Sequence, residues 1–227
     1  MDIKLNYVEK GTGFPLILLH GNGENHEYFV HQIAYFSEKY RVIAIDTRGH
    51  SQSPRGEAPF TIRQFADDLY GFMEEHSIEK AHILGFSDGG NIAMLFAIKY
   101  PEKVDRLILN GANLDGSGVK PGVQIPIVCG YWFANLFAKK SRKAKRNAEM
   151  LGLMVNDPNV RPEELSDLHK KTLVIAGTKD MIKGSHTRLI AESLPDARLV
   201  FLEGDHFIAN KNPKEFNRVV NEFLKTI

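Results

Sequence analysis

Short apolar runs alternate along the chain with polar stretches of helical period. Pro15–Leu19, Arg41–Ile45, Ala81–Leu84, Leu107–Asn110, Thr172–Gly177 and Arg198–Leu202 are brief and rich in Leu, Ile and Val, the composition of strands buried on both faces. Between them, Phe65, Leu69, Phe72 and Met73 recur at helical spacing behind Thr61-x-x-Gln64, a capping-box pattern. Asn91–Ala97 continues a helix, and Asn212-Pro213-x-Glu215 predicts a second capped start for the C-terminal helix. Weaker helical turns follow Glu27 and Ser185. Strand and helix in alternation predict an α/β fold with a mostly parallel central β-sheet flanked by helices. A first strand is expected over Ile3–Val8, and Gly11-Thr12-Gly13 predicts a hairpin turn into the next run, so that the sheet begins antiparallel.

The alternation stops after Leu107–Asn110. From Gly111 to about Leu168 the chain holds Gly and Pro and then a helical stretch containing Ile125, Ile127, Val128, Tyr131, Trp132, Phe133, Leu136 and Phe137. Such a stripe either packs onto a core or forms an apolar surface over a site. Six basic residues follow within Lys139–Arg146. They read first as a solvated helix face, with attraction to an anionic substrate or an acidic membrane surface as the alternative.

With 227 residues and 43% hydrophobic content, the chain is long enough for one substantial core. A formal net charge of +1 gives no reason to expect nucleic acid as a partner. The single cysteine, Cys129, excludes an internal disulfide and fits a reducing compartment. No charged-then-apolar leader precedes the first strand and no apolar stretch reaches bilayer length, so a cytoplasmic protein without a membrane span is expected. Neither internal repeats nor low-complexity tracts are present.

The chemistry concentrates at the ends of the apolar runs. Ala81–Leu84 leads into Gly85-Phe86-Ser87-Asp88-Gly89, a Gly-x-Ser-x-Gly turn before a helix. Glycines flanking the serine remove side chains that a sharp strand-to-helix turn would drive into clash. The helix start also presents free N–H groups and its positive dipole end to a developing anion. Asp180 follows the run Thr172–Gly177, and His206 lies in the loop after Arg198–Leu202. A nucleophile, an acid and a histidine thus occur in the order Ser87, Asp180, His206. Asp205 is a rival acid, but a residue adjacent to the histidine in a loop rarely points at its ring.

Near the N-terminus, Pro15–Leu19 runs into His20-Gly21-Asn22-Gly23, and Asp46-Thr47-Arg48-Gly49-His50-Ser51 follows Arg41–Ile45. With these motifs the chain resembles the α/β-hydrolase family everywhere except its middle. One departure is Ser51, where relatives often carry glycine. The resemblance implies a hydrolase core over residues 1–112 and 169–227, with a small helical cap inserted over 113–168. It also implies an oxyanion hole from the backbone N–H groups of Asn22 and Asp88. Expected substrate-pocket residues are Phe86, Trp132, Phe133 and Phe137.

The chemistry expected of Ser87, Asp180 and His206 is acyl transfer onto Ser87 with His206 as base and Asp180 orienting it. A small-molecule acyl substrate follows, with carboxylesterase the leading activity. Thioesterase, carbon–carbon bond hydrolase and a ligand sensor with slow turnover are the alternatives. Serine rather than aspartate at the elbow argues against a dehalogenase or an epoxide hydrolase. No cofactor is expected, and none of the remaining histidines shows His-Glu-x-x-His spacing, so no metal is expected either. His20, Asp46 and Arg48 are expected to brace their loops.

Overall fold

Successive residues of a strand point to opposite faces of a sheet, and here each face finds its own layer of helices. The computed structural model describes residues 1–225. Its strands are β1 (Tyr7–Lys10), β2 (Pro15–Leu19), β3 (Arg41–Ile45), β4 (Ala81–Phe86), β5 (Val104–Asn110), β6 (Thr172–Gly177) and β7 (Ala197–Leu202). They form one seven-stranded sheet in the order β1-β3-β2-β4-β5-β6-β7, parallel throughout except for β1. Ile17, Leu19, Ile43, Ile83, Leu107 and Val174 face helices α2 (Ile62–Glu75), α3 (Asp88–Lys99) and α7 (Gly184–Ser193). Leu16, Leu18, Val42, Leu84, Ile108 and Ile175 face α1 (Val30–Phe36), α8 (Ile208–Lys211) and α9 (Pro213–Leu224).

The antiparallel start is present, but not as a hairpin. β1 pairs with β3, Tyr7 opposite Ile45 and Lys10 opposite Val42, while β2 lies one place further in between β3 and β4. β2 has four fully apolar residues and must be covered on both faces; β1 is largely exposed and suits an edge. The predicted Ile3–Val8 strand is therefore displaced to Tyr7–Lys10, although Ile3 and Leu5 still enter the core. Thr61 caps α2 by accepting from the Gln64 amide at 3.2 Å. The predicted counterpart at α9 does not form. Asn212 turns its amide toward the Glu203 carbonyl, and Glu215 pairs with Arg218, leaving Pro213 to start the helix.

Between β5 and β6 the chain leaves the sheet and builds α4 (Pro121–Phe137), α5 (Arg142–Asn156) and the short α6 (Pro162–Ser166). α5 is tied to the sheet side through the Arg55–Glu149 ion pair at 2.9 Å and through Asn22 Nδ2, which donates to the Met150 carbonyl at 2.8 Å. Among the described residues no helix is long and apolar enough to cross a membrane.

Candidate active site

In the parallel sheet, strand order reverses at β2: the chain moves outward to β3 and then returns to place β4 on the other side of β2. Loops leaving the carboxyl ends of β2 and β4 diverge at such a point and leave a crevice. His20–Glu24 and Ser87–Asp88 occupy those two ends, and the loops after β6 and β7 supply Asp180 and His206.

Ser87 sits in the turn at φ 54° and ψ −121°, a conformation that costs energy for any residue with a Cβ. The surroundings hold it there. Its N–H donates to the Asn110 carbonyl at 2.8 Å, and its own carbonyl accepts from Asn91 N–H at 3.0 Å. Gly85 and Gly89 are required by contact: a Cβ on Gly85 would lie 2.1 Å from the Gly89 carbonyl oxygen, and one on Gly89 would lie 2.0 Å from that of Leu19. The predicted elbow therefore has the strain, and the reason for its glycines, that the sequence indicates.

His206 Nε2 lies 3.0 Å from Ser87 Oγ, and its Nδ1 lies 2.7 Å from Asp180 Oδ1. Asp180 and His206 are both buried. Asp180 Oδ1 also accepts from Ile182 N–H at 2.9 Å, and Lys120 Nζ donates to the Asp180 backbone carbonyl at 2.5 Å. The carboxylate is thus held through Oδ1, and the backbone of its loop through Lys120. Asp205 is engaged elsewhere, accepting from the Phe207 amide and pairing with Lys211.

The early loop is organised by a buried neutral histidine. Thr47 N–H donates to His20 Nε2 at 3.0 Å, so Nδ1 carries the ring proton and donates to the Gly21 carbonyl at 2.7 Å. Burial pulls the His20 pKa down to about 4, and the ring stays uncharged at neutral pH. Asn22 Nδ2 donates to Asp88 Oδ2 at 2.9 Å, joining this loop to the first turn of α3. That first turn leaves its N–H groups without intrahelical acceptors.

Three features escaped the sequence reading. Asp88 is buried, and burial pushes its pKa up to about 6 although the Asn22 and Asn91 amides donate to it. Glu24 is pushed up to about 7, chiefly by burial, and it accepts from Gly21 N–H at 3.3 Å with His206 nearby. The only sequence signal for Glu24 is its spacing, three residues after Gly21. Gly111 packs against the histidine: a Cβ there would lie 2.8 Å from His206 Cε1.

The expected pocket aromatics are placed otherwise. Phe86 is buried at 1% exposure, stacked on Tyr28 at 4.2 Å with its ring 4.8 Å from that of His206, so it backs the imidazole rather than lining an opening. Trp132 and Phe133 are 65% and 67% exposed. Trp132 pairs with Tyr131 and Phe133 with Phe137, all within α4, whereas the rings against His206 are Phe86 and Phe207. Phe133 and Phe137 line a cleft of about 520 Å³ between α4 and α5 whose walls do not include Ser87. The apolar composition of α4 pointed to a covered surface; its connection to the core instead runs through Lys120 and α5.

The family model described as the alpha/beta hydrolase fold matches residues 15–127. The chain belongs to the α/β-hydrolase family. It is 28% identical to 3-oxoadipate enol-lactonase 2 of Acinetobacter baylyi, covering 99% of this chain and 94% of that one. It is also 28% identical to the putative carbamate hydrolase RutD of Azorhizobium caulinodans, covering 100% and 97%. Among solved structures, the meta-cleavage product hydrolase of Pseudomonas fluorescens superposes with a TM-score of 0.79 at 28% identity, covering 98% of this chain and 94% of that one. These relatives are hydrolases of small molecules, and this chain is a hydrolase of the same fold. Ser51, the departure expected from the family pattern, adopts φ 48°, the left-handed conformation that glycine takes most readily.

Proposed function

We propose that the protein is a serine hydrolase that cleaves a small carboxylic ester, open or cyclic, through an acyl-enzyme. The observation that carries this reading is the unbroken relay from Ser87 Oγ to His206 Nε2 at 3.0 Å and from His206 Nδ1 to Asp180 at 2.7 Å, on a strained serine. In the first step His206 takes the Ser87 proton as Oγ attacks the carbonyl carbon, and Asp180 stabilises the imidazolium. The backbone N–H groups of Asn22 and Asp88 receive the oxyanion; a donor of this kind is worth roughly 2.7–4 kcal/mol of barrier. His206 returns its proton to the leaving alcohol, then activates the water that releases the acid. The helical insertion over residues 113–168 acts as the cap and sets substrate choice. Likeness along the whole chain to an enol-lactonase supports an ester or lactone carbonyl as the target.

A series of acyl esters and lactones tests the proposal. Wild-type protein is expected to turn over repeatedly and to be labelled stoichiometrically by an active-site phosphonate. Ser87→Ala should remain folded and lose both properties; ester cleavage by this variant at the wild-type rate would exclude Ser87 as nucleophile. The whole-chain likeness to a meta-cleavage product hydrolase favours a second reading, carbon–carbon bond cleavage with the same serine. Rapid turnover of vinylogous diketones with poor activity on simple esters would select it.

A further inference from the structure

Helix α4 carries a stripe of apolar side chains turned away from the protein. Ile125, Trp132, Phe133 and Leu136 are 61%, 65%, 67% and 74% exposed, and Cys129 is exposed among them. Their spacing, i, i+4, i+7, i+8 and i+11, places all five on one face of the helix. Scattered surface hydrophobics need no explanation, but a contiguous aromatic and aliphatic stripe marks a surface that meets something.

The charges beside it say what. No Asp or Glu occurs between Asp115 and Glu149, while Lys139, Lys140, Arg142, Lys143, Lys145 and Arg146 follow directly on the stripe's C-terminal end. Lys143 lines the same α4–α5 cleft as Phe133 and Phe137. The remainder of a chain whose net charge is only +1 must therefore be acidic on balance, so the cationic charge is local to this hairpin of helices. A second copy is a poor occupant for this face, because a two-fold contact would set the same basic rim against itself.

We infer that α4 and the basic segment after it form a docking surface for an anionic lipid bilayer. The helix lies in the plane of the interface with Trp132, Phe133 and Leu136 at headgroup depth, and the lysines on Lys139–Lys143 reach the lipid phosphates. This is adsorption to a surface rather than insertion across it, in keeping with the length of α4. The docked helix begins at Pro121, next to Lys120, whose ammonium holds the Asp180 carbonyl.

Trp132 and Cys129 are the only tryptophan and cysteine of the chain, and both lie on the stripe. Each reports docking without reference to activity, so the outcome is independent of the ester-hydrolase reading. Full-length protein is mixed with vesicles of phosphatidylglycerol or of phosphatidylcholine. With phosphatidylglycerol, Trp132 emission is expected to shift to the blue and Cys129 to be protected from a water-soluble thiol reagent, both effects weakening as salt is raised. Replacing three lysines (Lys139→Gln, Lys140→Gln, Lys143→Gln) should weaken partitioning about 100-fold, roughly five-fold for each charge. Phe133→Ser with Leu136→Ser should weaken it as well. Absence of any shift at millimolar phosphatidylglycerol overturns the proposal, as does equal binding to both lipids. A blue shift without vesicles that grows with protein concentration and accompanies a dimer mass in sedimentation also overturns it, assigning the face to self-association.

Discussion

Two carboxyls near Ser87, Asp88 buried and Glu24 half-buried, give the site a pH dependence that can be read residue by residue. Glu24 and Asp88 have folded pKa values raised to about 7 and about 6, above their ordinary values of 4.5 and 3.8. Between those limits the folded chain binds more protons than the unfolded one, so stability declines as pH rises from about 4 to about 7. For Asp88, which is buried, the decline amounts to roughly 3 kcal/mol; Glu24 is partly open to solvent and contributes less. Urea melts at pH 5 and pH 8 should therefore show lower stability at the higher pH, and Asp88→Asn should reduce the difference. An unchanged difference in that variant would show that Asp88 is ionised throughout. Ionised Glu24 also carries a negative charge near His206. Glu24→Gln is expected to remove a component near pH 7 from the kcat/KM profile of ester cleavage.

At the scale of elements, the central strands were legible because each is a short apolar run covered along its length, as in β4, β6 and β2 beyond Pro15. β1 was misplaced because an edge strand carries no such signal, and a Gly-x-Gly turn does not reveal whether its flanks pair with each other. Ser87, Asp180 and His206 were legible because each sits just beyond such a run. The buried polar links between elements were not, since they join residues far apart in sequence. Arg48 is the clearest case. It is fully buried in the loop after β3, donates to both Asp68 oxygens on α2 at 2.7 Å, and pairs with Asp2 at 2.5 Å. Sequence suggested only that it braces its turn, whereas it fastens the N-terminus, this loop and α2 together. Arg48→Ala would leave the buried Asp68 charge without its partner, and a loss of about 3–5 kcal/mol is expected in urea unfolding. A loss below about 1 kcal/mol would show that water or rearranged side chains replace the guanidinium.

Across the whole molecule, one side chain joins the three parts that must act together. Asn22 belongs to the His20–Glu24 loop proposed to offer an oxyanion N–H, and its Nδ2 donates both to Asp88 at the start of α3 and to the Met150 carbonyl in α5. Its backbone N–H is independent of the side chain, so substitution separates the proposed oxyanion role from the tether. Asn22→Asp keeps the shape and the backbone donor but sets an acceptor against two acceptors. Two lost hydrogen bonds at about 1–1.5 kcal/mol each correspond to a fall of about 10²-fold in kcat/KM if the tether sets the geometry of the reacting state. Amide exchange in α5 should quicken in the same variant, because the Arg55–Glu149 pair then remains as the polar link described between α5 and the sheet side. Faster exchange with unchanged kcat/KM would make Asn22 an anchor for α5 with no part in positioning the His20–Glu24 loop. A fall in kcat/KM with unchanged exchange would place the whole effect at Asp88.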